Sequence, residues 1–175
     1  MTDDHRGTSA DADASAGPAW VATEAGSHLR GRRARNTRPE IALRSGVHRL
    51  GLRFRVHQTV APRCTPDFVL PRWRLAVFVD GCFWHSCPEH GMKEYRGPNA
   101  ELWRRKMDAN RARDRRNDAT LAEAGWSVLR IWECQVRRGA EESALAVQRA
   151  AYDAKRPSPS AASTLAAVRS VSVRR

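Results

Sequence analysis

Three metal-binding side chains fall in the segment Cys82-x4-Cys87-x2-His90, and the next cysteine, Cys134, ends the distant apolar stretch "WSVLRIWEC". Two thiolates and an imidazole at this spacing, with a third thiolate from far along the chain, supply the four ligands of a closed, structural tetrahedral zinc site. No other feature constrains the fold as tightly, because the loop after Cys82 must lie against the end of the strand that runs into Cys134. Upstream, "PDFVL" and "WRLAVFVD" read as two apolar strands joined by a short turn near Arg72 and Trp73. If that turn is centred between Trp73 and Arg74, Asp67 lies opposite Asp80, with Val79 beside it. The same register brings Cys64 near Cys82, so a four-cysteine site without His90 is a rival set. Buried free thiols are the plainer alternative.

The rest of the pattern alternates. "TRPEIALRSGVHRLG" reads as a helix with Thr37 as N-cap, Pro39 in the first turn, Leu43, Val47 and Leu50 on one face, and Gly51 closing it. "LRFRVH" follows as a strand of period two. A long charged helix runs from Glu101 to Ala124 and ends at Gly125, and the strand "WSVLRIWEC" comes next. A last helix spans about Ala140 to Lys155, stopped by Pro157. These elements predict an α/β fold, a mixed sheet flanked by helices.

Charge is unevenly placed. The chain has 31 Lys+Arg against 19 Asp+Glu, a formal +12, and only Lys93, Lys106 and Lys155 are lysines. Residues 1–24 net −4 and read as a disordered acidic tail; residues 156–175 carry four arginines without an acid and read as a flexible basic tail. The tails cancel, so the surplus belongs to the middle, divided into a main domain over 25–138 and a C-terminal helix over 139–155. Such a surface fits a polyanion, since each neutralised phosphate releases counterions, although heavy arginine use also follows from a GC-rich genome. No apolar run reaches membrane-span length and no signal-peptide core opens the chain, so a cytoplasmic protein is expected, nucleoid-associated when on DNA. In that reducing compartment the cysteines read as ligands or bystanders.

Several residues could carry chemistry. Carboxylates at the ends of adjacent strands, Asp67 and Asp80, can hold a hard cation such as Mg2+; the alternative is that both are strand-end turn residues. His85 lies close enough to Asp80 to serve as general base, or it is a packed ring. Phe83 and Trp84, wedged between a zinc ligand and His85, suggest groups that unstack base pairs, against the commoner fate of core packing. Arg111, Arg113, Arg115 and Arg116 crowd the long helix and read as a phosphate track rather than a solvated face. Thr37-x-x-Glu40 is a capping box, which accounts for Glu40 without function.

Together, "TRPE", "TPDFVL", "VFVDGCFWH", "CPEH", "ELWRRKMDANRARDRRN" and "GWSVLRIWEC" resemble the very short patch repair (Vsr) DNA mismatch endonucleases, over about Ser27 to Arg138. The resemblance implies a restriction-endonuclease-like central mixed sheet with helices on its faces and a structural zinc. It implies Mg2+-dependent nicking of one strand of double-stranded DNA beside the thymine of a T·G mismatch, the product of deaminating 5-methylcytosine, by an enzyme acting as a monomer. By position, Asp67 and the Val79 main-chain carbonyl would contact Mg2+, His85 would be the catalytic histidine, and Glu40 would lie near the active site. Zinc would be held by Cys82, Cys87, His90 and Cys134. Phe83, Trp84 and Trp103 fall where aromatics enter beside the mismatch, and Leu29 where a wedge enters from the other groove. Arg111 and Arg115 are expected on the DNA backbone. The rival readings are a restriction-like nuclease of matched or modified DNA, and a non-catalytic, zinc-stapled DNA-binding module.

Overall fold

The structure is a computed structural model that describes residues 19–23, 35–91 and 94–155. The expectations for Leu29, for residues 156–175 and for most of the acidic tail lie outside the described residues.

Helix α1 spans Arg38–Arg49, and Thr37 caps it by accepting the Glu40 N–H. The Glu40 carboxylate answers by taking the Thr37 hydroxyl at 2.8 Å and the Asn36 N–H at 2.9 Å. The capping box is therefore present, but its return bond reaches one residue further back than the N-cap itself. Strands β1 (Arg55–Val56), β2 (Phe68–Leu70), β3 (Leu75–Asp80) and β4 (Ser127–Trp132) form one sheet in the order β1-β2-β3-β4. The first three are antiparallel neighbours, and β4 runs parallel to β3. The connection between that parallel pair is helix α2 (Ala100–Glu123); after β4 come the short helix α3 (Glu133–Arg138) and helix α4 (Ala140–Ala154).

Alternation along the strands sends side chains to two cores. Phe68, Leu70, Leu75, Val77 and Ile131 meet Leu43 and Val47 of α1 and Val147 of α4 on one face. Val69 and Ala76 meet Leu121 of α2 on the other, with Phe78 and Val128 packed against them. Close approach of α1 and α4 depends on Gly46, where an added Cβ would stand 2.8 Å from the Ala144 Cβ. At 24 residues, α2 is about 36 Å long, whereas a six-residue strand is about 20 Å. The N-terminal half of α2 therefore overhangs the C-terminal end of β3. That overhang builds the site.

Three sequence expectations are corrected. The hairpin register pairs Phe68 with Val77 and Leu70 with Leu75, so its centre lies between Arg72 and Trp73, one residue earlier than expected. The cause is a 3-10 turn over Pro71–Trp73 that closes on Arg74 in the left-handed region (φ 47°, ψ 43°). Asp67 consequently does not face Asp80; continuing the register places it across from Phe78. Secondly, the stretch from Trp126 to Cys134 is not strand throughout. The Trp132 N–H is accepted by the Gln135 side chain at 2.9 Å, α3 begins, and Cys134 sits in its first turn. Thirdly, two residues of the expected disordered tail, Trp20 and Val21, make contacts at the start of α2, as described below. Among the described residues no helix is long and apolar enough to cross a membrane.

Candidate active site and metal cluster

The loop leaving β3 folds tightly, with His85 N–H bonded to Gly81 C=O (3.1 Å) and Cys87 N–H to Cys82 C=O (2.9 Å). Gly91 N–H then returns to Cys87 C=O at 2.7 Å, an approach open only to glycine, since a Cβ there would lie 2.5 Å from that same oxygen. These turns gather Cys82, Cys87 and His90 around Cys134, with one ligand atom from each lying within 4.8 Å of all the others. Cys87 Sγ is 3.9 Å from both Cys134 Sγ and His90 Nδ1. Sulfurs on a tetrahedral zinc, at about 2.3 Å from the metal, stand about 3.8 Å apart. The four residues could therefore hold a zinc ion as they stand. Cys64 is buried in the second core and is not one of this group, so the four-cysteine alternative is set aside.

The thiols show what a cation would relieve. Burial and the neighbouring Cys134 and Cys87 push the Cys82 thiol up to about 12. Cys87 is also opposed by burial, yet the His90 backbone and ring and the Glu89 N–H bring it down to about 7. Around the cluster, Glu133 takes the Cys82 N–H at 3.1 Å, and Arg138 pairs with Glu89 at 3.0 Å.

Beside this knuckle three aromatics pack together, Phe83 meeting both tryptophans edge to face. Phe83 lies 5.0 Å from Trp84 and 5.3 Å from Trp103 of α2, with the two tryptophans 6.0 Å apart. The overhanging part of α2 holds them: Asn110 donates to the Trp84 carbonyl at 3.0 Å, and the Lys106 ammonium sits 5.7 Å over the Trp84 ring. A fourth member was missed from sequence. Trp20 lies 5.0 Å from Trp103, and Val21 exchanges two hydrogen bonds with the Asn99 side chain (2.9 and 2.7 Å). Trp20 sits inside a stretch whose composition reads as tail, so no periodicity marks it.

Asp67 stands on the other side of the β3 end. Its Oδ2 accepts the Val79 N–H at 2.7 Å, and its main-chain carbonyl accepts the His57 N–H at 3.2 Å. Burial pushes its carboxyl up to about 6, assisted by the charges of Glu40 and Asp80, against the pull of the Val79 N–H. Among the described residues it forms no ion pair. The N–H and C=O of one strand residue point to the same side, so the Val79 carbonyl also faces β2. The register continued by two residues sets Pro66 opposite Val79, and proline has no N–H to give that carbonyl. An unneutralised carboxylate and a carbonyl without a ladder donor therefore end up side by side. Such a pair could hold a hard cation. Glu40 is buried nearby, with both its oxygens engaged at the start of α1.

Asp80 does something other than expected. It binds Arg130 of β4 with both oxygens, at 2.9 and 3.1 Å, so its charge is matched inside the protein rather than offered to a metal. His85 Nδ1 lies 2.6 Å from Asp114 Oδ2 and 3.7 Å from Asp80 Oδ1. Asp114, Asp118 and Arg130 were not singled out from sequence. A signal existed, because Arg130 is the one charged residue inside the otherwise apolar run "SVLRIW" and a half-buried arginine needs acids. On the outer face of α2, Arg111 pairs with Asp108 at 2.6 Å in an exposed contact, and Arg115 is exposed.

A family model described as "DNA mismatch endonuclease Vsr" matches residues 24–90, which include Glu40, Asp67 and the whole Val77–His90 segment. The "Type II nicking enzyme V.XorIIP" of Xanthomonas oryzae pv. oryzae is 48% identical over 106 residues, 59% of this chain and 75% of that protein. The "DNA mismatch endonuclease Vsr" of Escherichia coli is 38% identical over 112 residues, 63% of this chain and 69% of that protein. The "Type II nicking enzyme V.HpaIIP" of Haemophilus parainfluenzae is 32% identical over 119 residues, 68% of this chain and 84% of that protein. The mixed sheet with helices on both faces is the restriction-endonuclease-like form, and the chain belongs to the Vsr DNA mismatch endonuclease family, as a DNA nicking endonuclease.

Proposed function

We propose that this chain hydrolyses one phosphodiester of duplex DNA beside the thymine of a T·G mismatch, with Mg2+ at Asp67 and zinc in the Cys82/Cys87/His90/Cys134 cluster. The observation that carries the reading is the packing of Phe83, Trp84 and Trp103 on the same loop and helix that hold His85 and Asp114.

Asp67 and the Val79 carbonyl would hold the Mg2+, which when bound supplies Lewis-acid polarisation of the scissile phosphate. His85, donating Nδ1–H to Asp114, keeps the lone pair on Nε2 and takes the proton of the attacking water there. The aromatics enter the stack, and a mismatch lowers the unstacking cost of a few kcal/mol per step, so deformability contributes to selection. The Arg111–Asp108 pair is exposed and worth little, so Arg111 exchanges it for a phosphate readily, and Arg115 joins it. Cys82, Cys87, His90 and Cys134 would hold the zinc, which with four protein ligands would leave no open position for bond-breaking and would serve only to fix the loop.

The test is a nicking assay on labelled T·G, T·A and C·G duplexes, with and without Mg2+, using the unaltered protein, Asp67→Ala and His85→Ala. Mg2+-dependent cleavage of the T strand of T·G alone, lost in both variants, is the expected result. Equal nicking of matched duplexes would sink the mismatch reading, and tight binding without nicks in any context would leave a DNA-binding module. Trp84→Ala is expected to cut the preference for T·G over T·A by about 10- to 100-fold, with total duplex affinity changing far less. Competition between the two duplexes in one reaction measures this directly.

A further inference from the structure

Arg130 projects from β4 into the space between the β3 end and α2. Its Nη1 donates to both oxygens of Asp80 (2.9 and 3.1 Å), and its Nε and Nη2 donate to Asp118 (2.9 to 3.2 Å). Nη2 also reaches the Asp114 main-chain oxygen at 3.4 Å and lies 3.8 Å from Asp114 Oδ1. The guanidinium is stacked 4.4 Å over the Phe78 ring, which fixes its plane. One planar fork thus spans three carboxylates from two elements, a geometry that an ammonium cannot reproduce.

We infer that Arg130 is a positioning residue of the nicking reaction: by holding Asp80 and the Asp114–Asp118 turn of α2 in place, it leaves Asp114 as the single acid on His85 Nδ1. The geometry contains the alternative it suppresses. Asp80 Oδ1 already lies 3.7 Å from Nδ1, against 2.6 Å for Asp114. Without the fork, Asp80 loses both of its strong bonds and turns to the nearest donor, the imidazole. Two acids from different elements then compete for one N–H, and the ring loses its single orientation. A misplacement of about 1 Å in a reacting group costs on the order of 100-fold in rate. Asp118 needs no contact with His85 for this; it anchors the other edge of the guanidinium.

This inference rests on His85 as the proton acceptor, so the experiment separates the two. Single-turnover nicking is measured with enzyme in excess over saturated T·G duplex, for Arg130→Gln, Arg130→Lys, Asp114→Asn and His85→Ala, with duplex affinity and melting temperature taken on the same samples. Arg130→Gln is expected to slow the nicking step about 10- to 100-fold with duplex affinity unchanged. Arg130→Lys restores charge and should recover melting temperature but not rate. Arg130→Gln combined with Asp114→Asn should lose little more than the worse single variant, because both act through one ring.

A second readout does not use activity. Nitrogen-15 spectra of the full chain without DNA are expected to show one sharp Nδ1–H signal for His85 in the unaltered protein, and a divided or broadened one in Arg130→Gln, where the ring is shared between Asp114 and Asp80 with the proton still on Nδ1. Wild-type rates in Arg130→Gln beside an inactive His85→Ala would overturn the role given to Arg130 and leave the base in place. Full recovery by lysine would overturn it too, since charge alone would then suffice. An active His85→Ala would instead remove the base. Should Arg130→Gln fail to fold, Asp80→Ala with Arg130→Met removes cation and competing acceptor together, and its His85 Nδ1–H signal should stay single as in the unaltered protein; a divided signal there counts against the proposal.

Discussion

Asp67→Asn is expected to abolish nicking while making the folded protein more stable at neutral pH in the absence of divalent cations. Asparagine keeps the acceptor for the Val79 N–H and removes only the charge. The carboxyl is raised from 3.8 to about 6 in the folded state, so the fold prefers it protonated. The stability this preference confers is fully present below pH 3.8 and is lost as pH rises through 6. At neutral pH the ionised group therefore costs about 3 kcal/mol, which for a chain of this size corresponds to roughly 6–12 °C in melting temperature. Mg2+ should reverse the order. A cation at 1,000 times its Kd stabilises a site by about 4.1 kcal/mol, more than that cost, and only the unaltered protein has the carboxylate to receive it. Loss of several kcal/mol of phosphate polarisation lowers the nicking rate on the order of 1,000-fold. Thermal melts of both proteins at pH 5 and pH 8, with and without Mg2+, provide the check. A variant that melts below the unaltered protein at pH 8 without Mg2+ would show that Asp67 is not a charge held at a cost for function.

Such a stored cost is visible only once the neighbours are known, and this marks how far the sequence was legible. Ligand spacing pointed to Cys82, Cys87, His90 and Cys134 as candidate zinc ligands, because three of them are local, but it left Cys64 as a rival until the structure brought the four together. Thr37 and Gly51 bounded α1 for the same local reason. What local patterns could not supply was register and pairing across elements. The 3-10 turn at Pro71–Trp73 shifted the hairpin by one residue at its centre, which moved Asp67 away from Asp80 and onto the Val79 N–H. The run "RARDRRND" reads as a charged stripe, yet its acids Asp114 and Asp118 turn inward to His85 and Arg130, and only the arginines face out. Trp20 was hidden differently. Its partner Trp103 is far along the chain, and its own surroundings carry the composition of a tail.

Removing the metal from the cysteine cluster should be the most damaging single change to the loop that carries His85. Between Gly81 and Gly91 the chain has almost no core of its own: Cys82 and Cys87 are its buried side chains, and both are candidate ligands. With no cation, burial and the neighbouring thiols hold Cys82 up to about 12, while, against burial, hydrogen bonds from His90 and the Glu89 backbone bring Cys87 down to about 7. A zinc ion held there would take all three sulfurs as thiolates and offset the cost of burying them, binding being worth about 10–16 kcal/mol in small zinc modules. Cys134→Ser, or phenanthroline followed by restored Mg2+, is therefore expected to remove bound zinc and lower the melting temperature. Nicking should drop by about 100-fold or more, because Phe83, Trp84 and His85 lose their common support. The sheet and its two apolar cores do not depend on the cluster, so far-ultraviolet dichroism should keep most of its amplitude. Duplex binding should weaken less than nicking, since Arg111 and Arg115 sit on α2 rather than on the loop. Acid should mimic the chelator, as each ligand must shed a proton to bind. Unchanged melting and nicking after the metal is shown to be gone would mean that the turns at Gly81 and Gly91 hold the loop unaided.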